Sequence, residues 1–234
     1  MYECNQFTRT ELALGKDGIE KLKNSKIVLF GLGGVGSYIA EALARVGVGN
    51  LIIVDGDTVD ITNINRQLIA NINTIGKNKA ELVKERISLI NPLANVVAIS
   101  KFVKSENDID FIDGTVDYVI DAIDDFDAKI MIIKKAKELG LNLISSMGTA
   151  KRLYGDMFKI ADISKTKVCP LAKKMRRELK KLRINKVKVL YSDEVPTEMH
   201  EIDGYVGKSL GSVSFVPPVA GMLIAGEVVR DLLK

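Results

Sequence analysis

Residues 26–55, KIVLFGLGGVGSYIAEALARVGVGNLIIVD, constrain the fold more than any other stretch of the chain. Residues 27–30 form a short apolar run of strand character. The chain then breaks at Gly31, Gly33, Gly34 and Gly36 and continues with helical spacing over residues 37–46. A second apolar run, 51–54, ends on Asp55. Strand, glycine turn, helix and strand, with an acid about 20 residues past the turn, is the context in which such a turn binds a nucleotide. Gly31 permits a tight turn, Gly33 lets the backbone approach a phosphate, and Gly36 lets the helix pack closely. Exposed amides and the positive dipole end at the helix start make an anion site. Asp55, ending the second strand, is placed to accept hydrogen bonds from ribose hydroxyls. The bland alternative is a purely structural turn, and the strand, helix and acid around the glycines weigh against it.

The same alternation continues downstream. Apolar runs at 96–100, 116–123 and 141–145 read as strands, and helical periodicity covers 77–90 and 127–139, stopped by Asn91-Pro92 and Gly140. This order predicts an α/β, Rossmann-like, doubly wound and mostly parallel sheet with ligands at the carboxyl ends of its strands. Beyond Met147, residues 156–163 and 186–191 look like strands, 171–182 like a basic helix and 192–211 like a long polar loop. Pro217-Pro218 opens a last apolar helix reaching 233. We expect one domain over 1–234, comprising an N-terminal helical segment (1–25), a nucleotide-binding core (26–150) and a substrate-side extension (151–234) that continues the same sheet.

At 234 residues and 47% hydrophobic content, such a sheet can bury a sizeable core. Cys4 and Cys169 are the only cysteines, which excludes a disulfide framework and, with no CxxC pair, a structural zinc. The polar N-terminus has no apolar signal region. The uncharged run 209–226 is interrupted by glycine and proline, so a buried helix is expected rather than a membrane span, in a cytoplasmic protein. The net charge of +4 is modest, but residues 165–188 concentrate eleven Lys or Arg against one acid, Glu178.

A glycine turn alone does not choose between a dinucleotide and ATP. Asn63, Asn65, Arg66 and Gln67 follow Asp55, Lys79 sits early on the next helix, and Asp121 and Asp124 bracket the end of the fourth strand. Cations beside an anion site, with a carboxylate able to hold Mg²⁺ against phosphates, suit phosphoryl or nucleotidyl transfer better than hydride transfer. Taken singly, Arg66 and Lys79 read equally well as surface charges, and Asp124 as a helix N-cap.

GLGGVGS at 31–37, VDGDTVDITNINRQ at 54–67, GKNKAE at 76–81 and DAIDD at 121–125 resemble the signatures of the ubiquitin-activating (ThiF/MoeB/HesA) superfamily, over nearly the whole chain. Its members use ATP and Mg²⁺ to adenylate a carboxylate. The resemblance implies that Asp55 holds the ribose, that Asn63, Arg66 and Lys79 hold the phosphates and that Asp124 binds Mg²⁺, with Gly31, Gly33, Gly34, Gly36, Asp57 and Gln67 also among the nucleotide-binding residues. It also implies that Arg9 reaches the triphosphate of a partner subunit in a homodimer. Attack by an ionised carboxylate needs alignment and charge neutralisation rather than a general base, so the single histidine, His200, has no required part.

Lacking CxxC pairs and room for a catalytic cysteine domain, the chain most resembles the tRNA threonylcarbamoyladenosine dehydratases, through its FxRT-type start, its PLAKKMRRELKK helix and its GSVSFVPPVAGMLIAGEVV close. The resemblance implies dehydration of that modified nucleoside to a cyclic form in tRNA, with a sulfur-transfer protein as a further partner. The alternative is adenylation of the C-terminal carboxylate of a small ubiquitin-like sulfur carrier. Lys173, Lys174, Arg176, Arg177, Lys180 and Lys181 are then candidates for tRNA phosphates, against a solvated helix face. Cys169 is a candidate thioester nucleophile.

Overall fold

The structure is a computed structural model and describes residues 3–207 and 210–234. Seven strands form one sheet: β1 (Lys26–Phe30), β2 (Asn50–Val54), β3 (Asn95–Ile99), β4 (Tyr118–Asp121), β5 (Asn142–Ser146), β6 (Phe158–Asp162) and β7 (Lys188–Ser192). Their order is β3-β2-β1-β4-β5-β7-β6, parallel throughout except for β6, which runs antiparallel to β7. Strand order reverses between β1 and β4, so a crevice opens at their carboxyl ends, where α/β sheets bind ligands. Phe30 pairs with Val54 and with Asp121, which brings the exits of three strands to one rim.

Helices cover both faces. α1 (Thr8–Asn24), α2 (Gly36–Val46), α3 (Lys79–Ile90) and α6 (Val216–Leu232) lie on one, and α4 (Phe126–Glu138) and α5 (Pro170–Lys181) on the other. β1 shows why both faces are needed: Ile27 and Leu29 pack with α2 and α6, Val28 and Phe30 with α4 and α5, and all four are fully buried. The C-terminal third joins this sheet through β6 and β7, as its apolar runs predict.

Several boundaries move. α3 begins at Lys79 rather than at 77, because the Asn78 carboxamide caps it by accepting from the Ala80 and Glu81 amides. The region up to Ile75 is more than a polar loop; it contains two short 3-10 turns, Ile61–Asn63 and Ile72–Thr74. Within residues 1–25, Thr8–Asn24 form one helix, kinked at Gly15, rather than short separate turns. The long loop after β7 is as expected, except that residues 208–209 within the predicted 192–211 lie outside the described residues.

Two polar clusters fasten helices to this frame. Glu41 on α2 accepts from Arg86 on α3 at 2.6 and 2.9 Å and from Arg45. Burial works against its ionised form, and the two guanidinium groups overcome that and hold its carboxyl below the usual range. At the far end of α6, Asp231 takes the Tyr118 hydroxyl at 2.8 Å and pairs with Lys188, which also reaches Glu227 at 2.8 Å.

Candidate active site

The glycine turn is held by backbone geometry that side chains would destroy. Gly31 has φ +83, and a Cβ there would lie 2.6 Å from the Ala122 carbonyl oxygen at the end of β4. A Cβ on Gly36 would sit 1.7 Å from the Gly31 carbonyl oxygen, so this glycine closes the turn on itself as well as packing the helix. α2 has no side-chain cap, and the amides of Gly33, Gly34 and Val35 find no acceptor among the described residues. They are the donors a phosphate would take.

Asp55 joins the turn to the second strand. Its Oδ2 accepts from the Leu32 amide at 2.7 Å and its Oδ1 from the Asp57 amide at 2.8 Å. Burial lifts its carboxyl above the ordinary range, and those amides and the Lys79 charge pull the other way. Lys79 is only 4% exposed, and its ammonium meets the Asp57 carboxylate at 2.9 Å. The two residues therefore form one charged unit beside the glycine turn.

Arg66 lies across the turn: a Cβ on Gly34 would be 3.3 Å from Arg66 Cγ. Its guanidinium is oriented by the Thr62 carbonyl at 3.0 Å and the Asn65 carboxamide at 2.9 Å, neither of which neutralises it. Gln67 is buried beside Gly33 and its Oε1 has no hydrogen-bond partner, which leaves an acceptor for a ligand donor. Asn63 is also buried, and its Oδ1 accepts from the Asp60 amide at 3.1 Å, which sets the shape of the loop and leaves its amide donors for a ligand.

The two acids after β4 have separate duties. Asp121 does not face a ligand: it is fully buried, with Lys129 Nζ at 2.9 Å, Ser145 Oγ at 2.5 Å and the Ile123 amide at 3.1 Å. Asp124 is exposed and makes no hydrogen bond among the described residues; the cap of α4 is instead Asp125, which accepts from the Ala128 amide at 2.8 Å. Asp124 is thus free to ligate a cation. No cluster of three or more His, Cys, Asp or Glu able to hold a metal exists among the described residues, so a cation here would take most of its ligands from phosphate and water.

The basic helix α5 packs Ala172, Met175 and Leu179 inward and presents Lys173, Arg177 and Lys180 on one exposed stripe. Lys174 sits over the Phe126 ring at 3.6 Å, two residues past Asp124, so the stripe begins at the rim of the site. A groove of about 900 Å³ runs beside it, lined also by Lys165 and Lys186. Two candidates are also engaged within the chain: Arg176 donates to the Thr166 carbonyl at 2.9 Å and to its hydroxyl, neither of which neutralises it, and the exposed Lys181 pairs with Glu178 at 2.8 Å.

Cys169 is also corrected. Only 2% exposed, it packs in the core beneath α5, where no substrate carbonyl reaches its thiol. Arg9, exposed on the first turn of α1, is remote from its own chain's glycine turn. The neighbouring Phe7 packs on Gly47, at the opposite end of α2, and eleven helical residues span about 16 Å.

Residues 7–234 match the model of the ThiF family. The chain belongs to the ThiF family. It is 47% identical to the tRNA threonylcarbamoyladenosine dehydratase of Bacillus subtilis, over 98% of this chain and 95% of that protein. Among solved structures it resembles the Escherichia coli tRNA N6-threonylcarbamoyladenosine dehydratase in complex with AMP, with a TM-score of 0.89 and 30% identity over 97% of this chain and 94% of the other. The same enzyme in complex with ATP gives a TM-score of 0.87 at 28% identity, over 97% and 93% of the two chains.

The sequence pattern did not single out Lys129 within this ThiF site. It lies on the same face of α4 as the buried Ile132, Ile133 and Ala136, and a lysine interrupting an apolar stripe is the signal that would have found it.

Proposed function

We infer that this ThiF-family chain is an ATP-dependent tRNA threonylcarbamoyladenosine dehydratase. The observation that carries the reading is the likeness to the Bacillus subtilis enzyme of that name, which runs nearly end to end in both chains and takes in α5 and α6 as well as the glycine turn. In this reaction the substrate's carboxylate is adenylated by ATP with loss of pyrophosphate. The carbamoyl nitrogen then closes on the activated carbon and AMP leaves with the carboxylate oxygen, so one water is lost overall.

The chain's own groups fit those needs. The free amides of Gly33, Gly34 and Val35, the unneutralised Arg66 and the buried Lys79 bind and orient phosphates. Asp55 is the acceptor for ribose hydroxyls, and Asp124 would hold a Mg²⁺ that supplies charge neutralisation at the phosphates. The substrate carboxylate is already ionised and needs no base. The Lys173, Arg177 and Lys180 stripe binds tRNA phosphates as they pass the rim. Arg9 serves the site of a second copy in a homodimer; its distance from its own site supports this.

The test is AMP and pyrophosphate release from ATP and Mg²⁺ with tRNA carrying threonylcarbamoyladenosine, followed by mass analysis of the nucleosides. Loss of one water that depends on ATP is the expected result. ATP cleavage with unchanged RNA would overturn the reading and favour a carrier-protein carboxylate.

A further inference from the structure

Arg152 has no place in the machinery above, yet it is only 3% exposed. Its Nε has no hydrogen-bond partner, and the one bond its guanidinium makes is a long 3.4 Å contact from Nη1 to the neighbouring Lys151 carbonyl. Among the described residues no carboxylate pairs with it. The buried Glu194, which meets the two residues after Arg152, is committed to their backbone: Oε1 accepts from the Leu153 amide at 2.8 Å and Oε2 from the Tyr154 amide at 3.2 Å. An unpaired guanidinium taken out of water is costly, and a fold keeps one where a ligand completes it.

Its position says which ligand. Arg152 follows β5, whose end pairs with β7, so it stands at the carboxyl edge of the sheet on the far side of β4 from Asp55. The preceding residue, Lys151, is held at φ 60, a conformation L residues adopt at a cost. Its amide donates to the Gly211 carbonyl at 2.9 Å, and its carbonyl accepts from the Thr197 amide at 3.0 Å. The next carbonyl in that strap, Ser212, accepts from Asn65 at 2.8 Å, beside Arg66. Bonds to the consecutive carbonyls of Gly211 and Ser212 thus connect Lys151, the residue before Arg152, with Asn65 beside Arg66.

We propose that Arg152 is the receptor for the substrate's oxyanion, the carboxylate that is to be adenylated, which its planar fork is suited to grip with two hydrogen bonds. This rests on the dehydratase reading. ATP phosphates are the other oxyanions within the site, but the glycine amides, Arg66 and Lys79 already face them.

The experiment compares Arg152→Met and Arg152→Lys with the unaltered chain. It measures kcat and KM for tRNA carrying threonylcarbamoyladenosine, the Kd for ATP, the Kd for tRNA lacking the threonylcarbamoyl group, and the melting temperature. Arg152→Met is expected to lower kcat/KM for the modified tRNA on the order of 10- to 100-fold, as expected when charge-assisted hydrogen bonds are removed. ATP and carboxylate-free tRNA should bind within about 2-fold of the unaltered chain, a difference too small to be a missing hydrogen bond. The melting temperature should hold or rise, since an unpaired buried charge has been removed. Arg152→Lys should recover part of the activity. A melting temperature lowered along with activity would make Arg152 structural. Weakened ATP binding would make it a phosphate ligand, and weakened binding of carboxylate-free tRNA an RNA backbone ligand; each overturns the proposal, as does unchanged kcat/KM. Failure of the unaltered chain to dehydrate the nucleoside would instead overturn the dehydratase reading itself.

Discussion

Lys129→Met removes the ammonium from a pair in which both partners have zero side-chain exposure. The methionine fills a similar volume, so little cavity is left. What remains is an Asp121 carboxylate with Ser145 Oγ at 2.5 Å and the Ile123 amide at 3.1 Å, and no cation. Breaking a buried pair from one side costs about 3 to 5 kcal/mol, because the surviving charge is uncompensated. Ser146 also loses the donor at 2.7 Å on its carbonyl. For a chain of this size each kcal/mol moves the melting midpoint by roughly 2 to 4 °C, so a fall of about 6 to 20 °C is expected. Circular dichroism on heating, with urea titration for the free energy, measures it. Adding Asp121→Asn removes the stranded charge and should recover at least half the loss. A single variant that loses less than about 1 kcal/mol, or a double variant as unstable as the sum of the singles, would refute the reasoning.

Arg66→Ala and Asp124→Ala should each reduce AMP formation by roughly 10²-fold or more while moving stability within about 1 kcal/mol, because neither side chain anchors the fold; retained activity would remove the phosphate and Mg²⁺ assignments. Reversing charge at Lys173, Arg177 and Lys180 should weaken tRNA binding and flatten its dependence on salt by about 0.7 to 0.9 in log-log slope for each phosphate no longer neutralised, read by titration at several salt concentrations. Gly36→Ala should abolish ATP binding in isothermal titration, since its methyl would occupy the Gly31 carbonyl oxygen; near-normal affinity would mean that the turn relaxes cheaply. Although burial opposes it, hydrogen bonds from Lys188, Lys234 and Tyr118 hold the Asp231 carboxyl down to about 2. Its folded value thus lies below an unfolded value of about 3.9, so its contribution of roughly 2 kcal/mol is full above pH 4 and is lost between about pH 4 and 2. Asp231→Asn should lack that part of the acid destabilisation, and an identical acid profile would refute it.

The ThiF-type core was legible in the sequence because local rules write it. The period of apolar runs sets strand against helix, glycines mark the one turn where a Cβ would collide, and Asp55 ends the second strand because parallel register fixes where strands stop. Asp57 and Arg66 closely follow the end of the second strand and Lys79 opens the next helix, so their grouping beside the turn followed from the strand order. Long-range placement decided the rest. Asp121 and Asp124 look equivalent as letters three apart, but one points between β4 and α4 to meet Lys129, and the other into solvent, a difference only packing sets. Likewise α5 reads as a uniform basic stripe until the 163–166 turn claims Arg176 and Phe126 takes Lys174. Cys169 reads as reactive until the core closes over it. Arg152 reads as one more charge in a loop, and only the fold, by burying it and committing Glu194 to backbone amides, leaves it without a partner. Sequence determines which groups a chain carries and how each segment pairs locally; which of them keep their charge free for a ligand is decided by desolvation and by competition among distant partners, and those exist only once the sheet has formed.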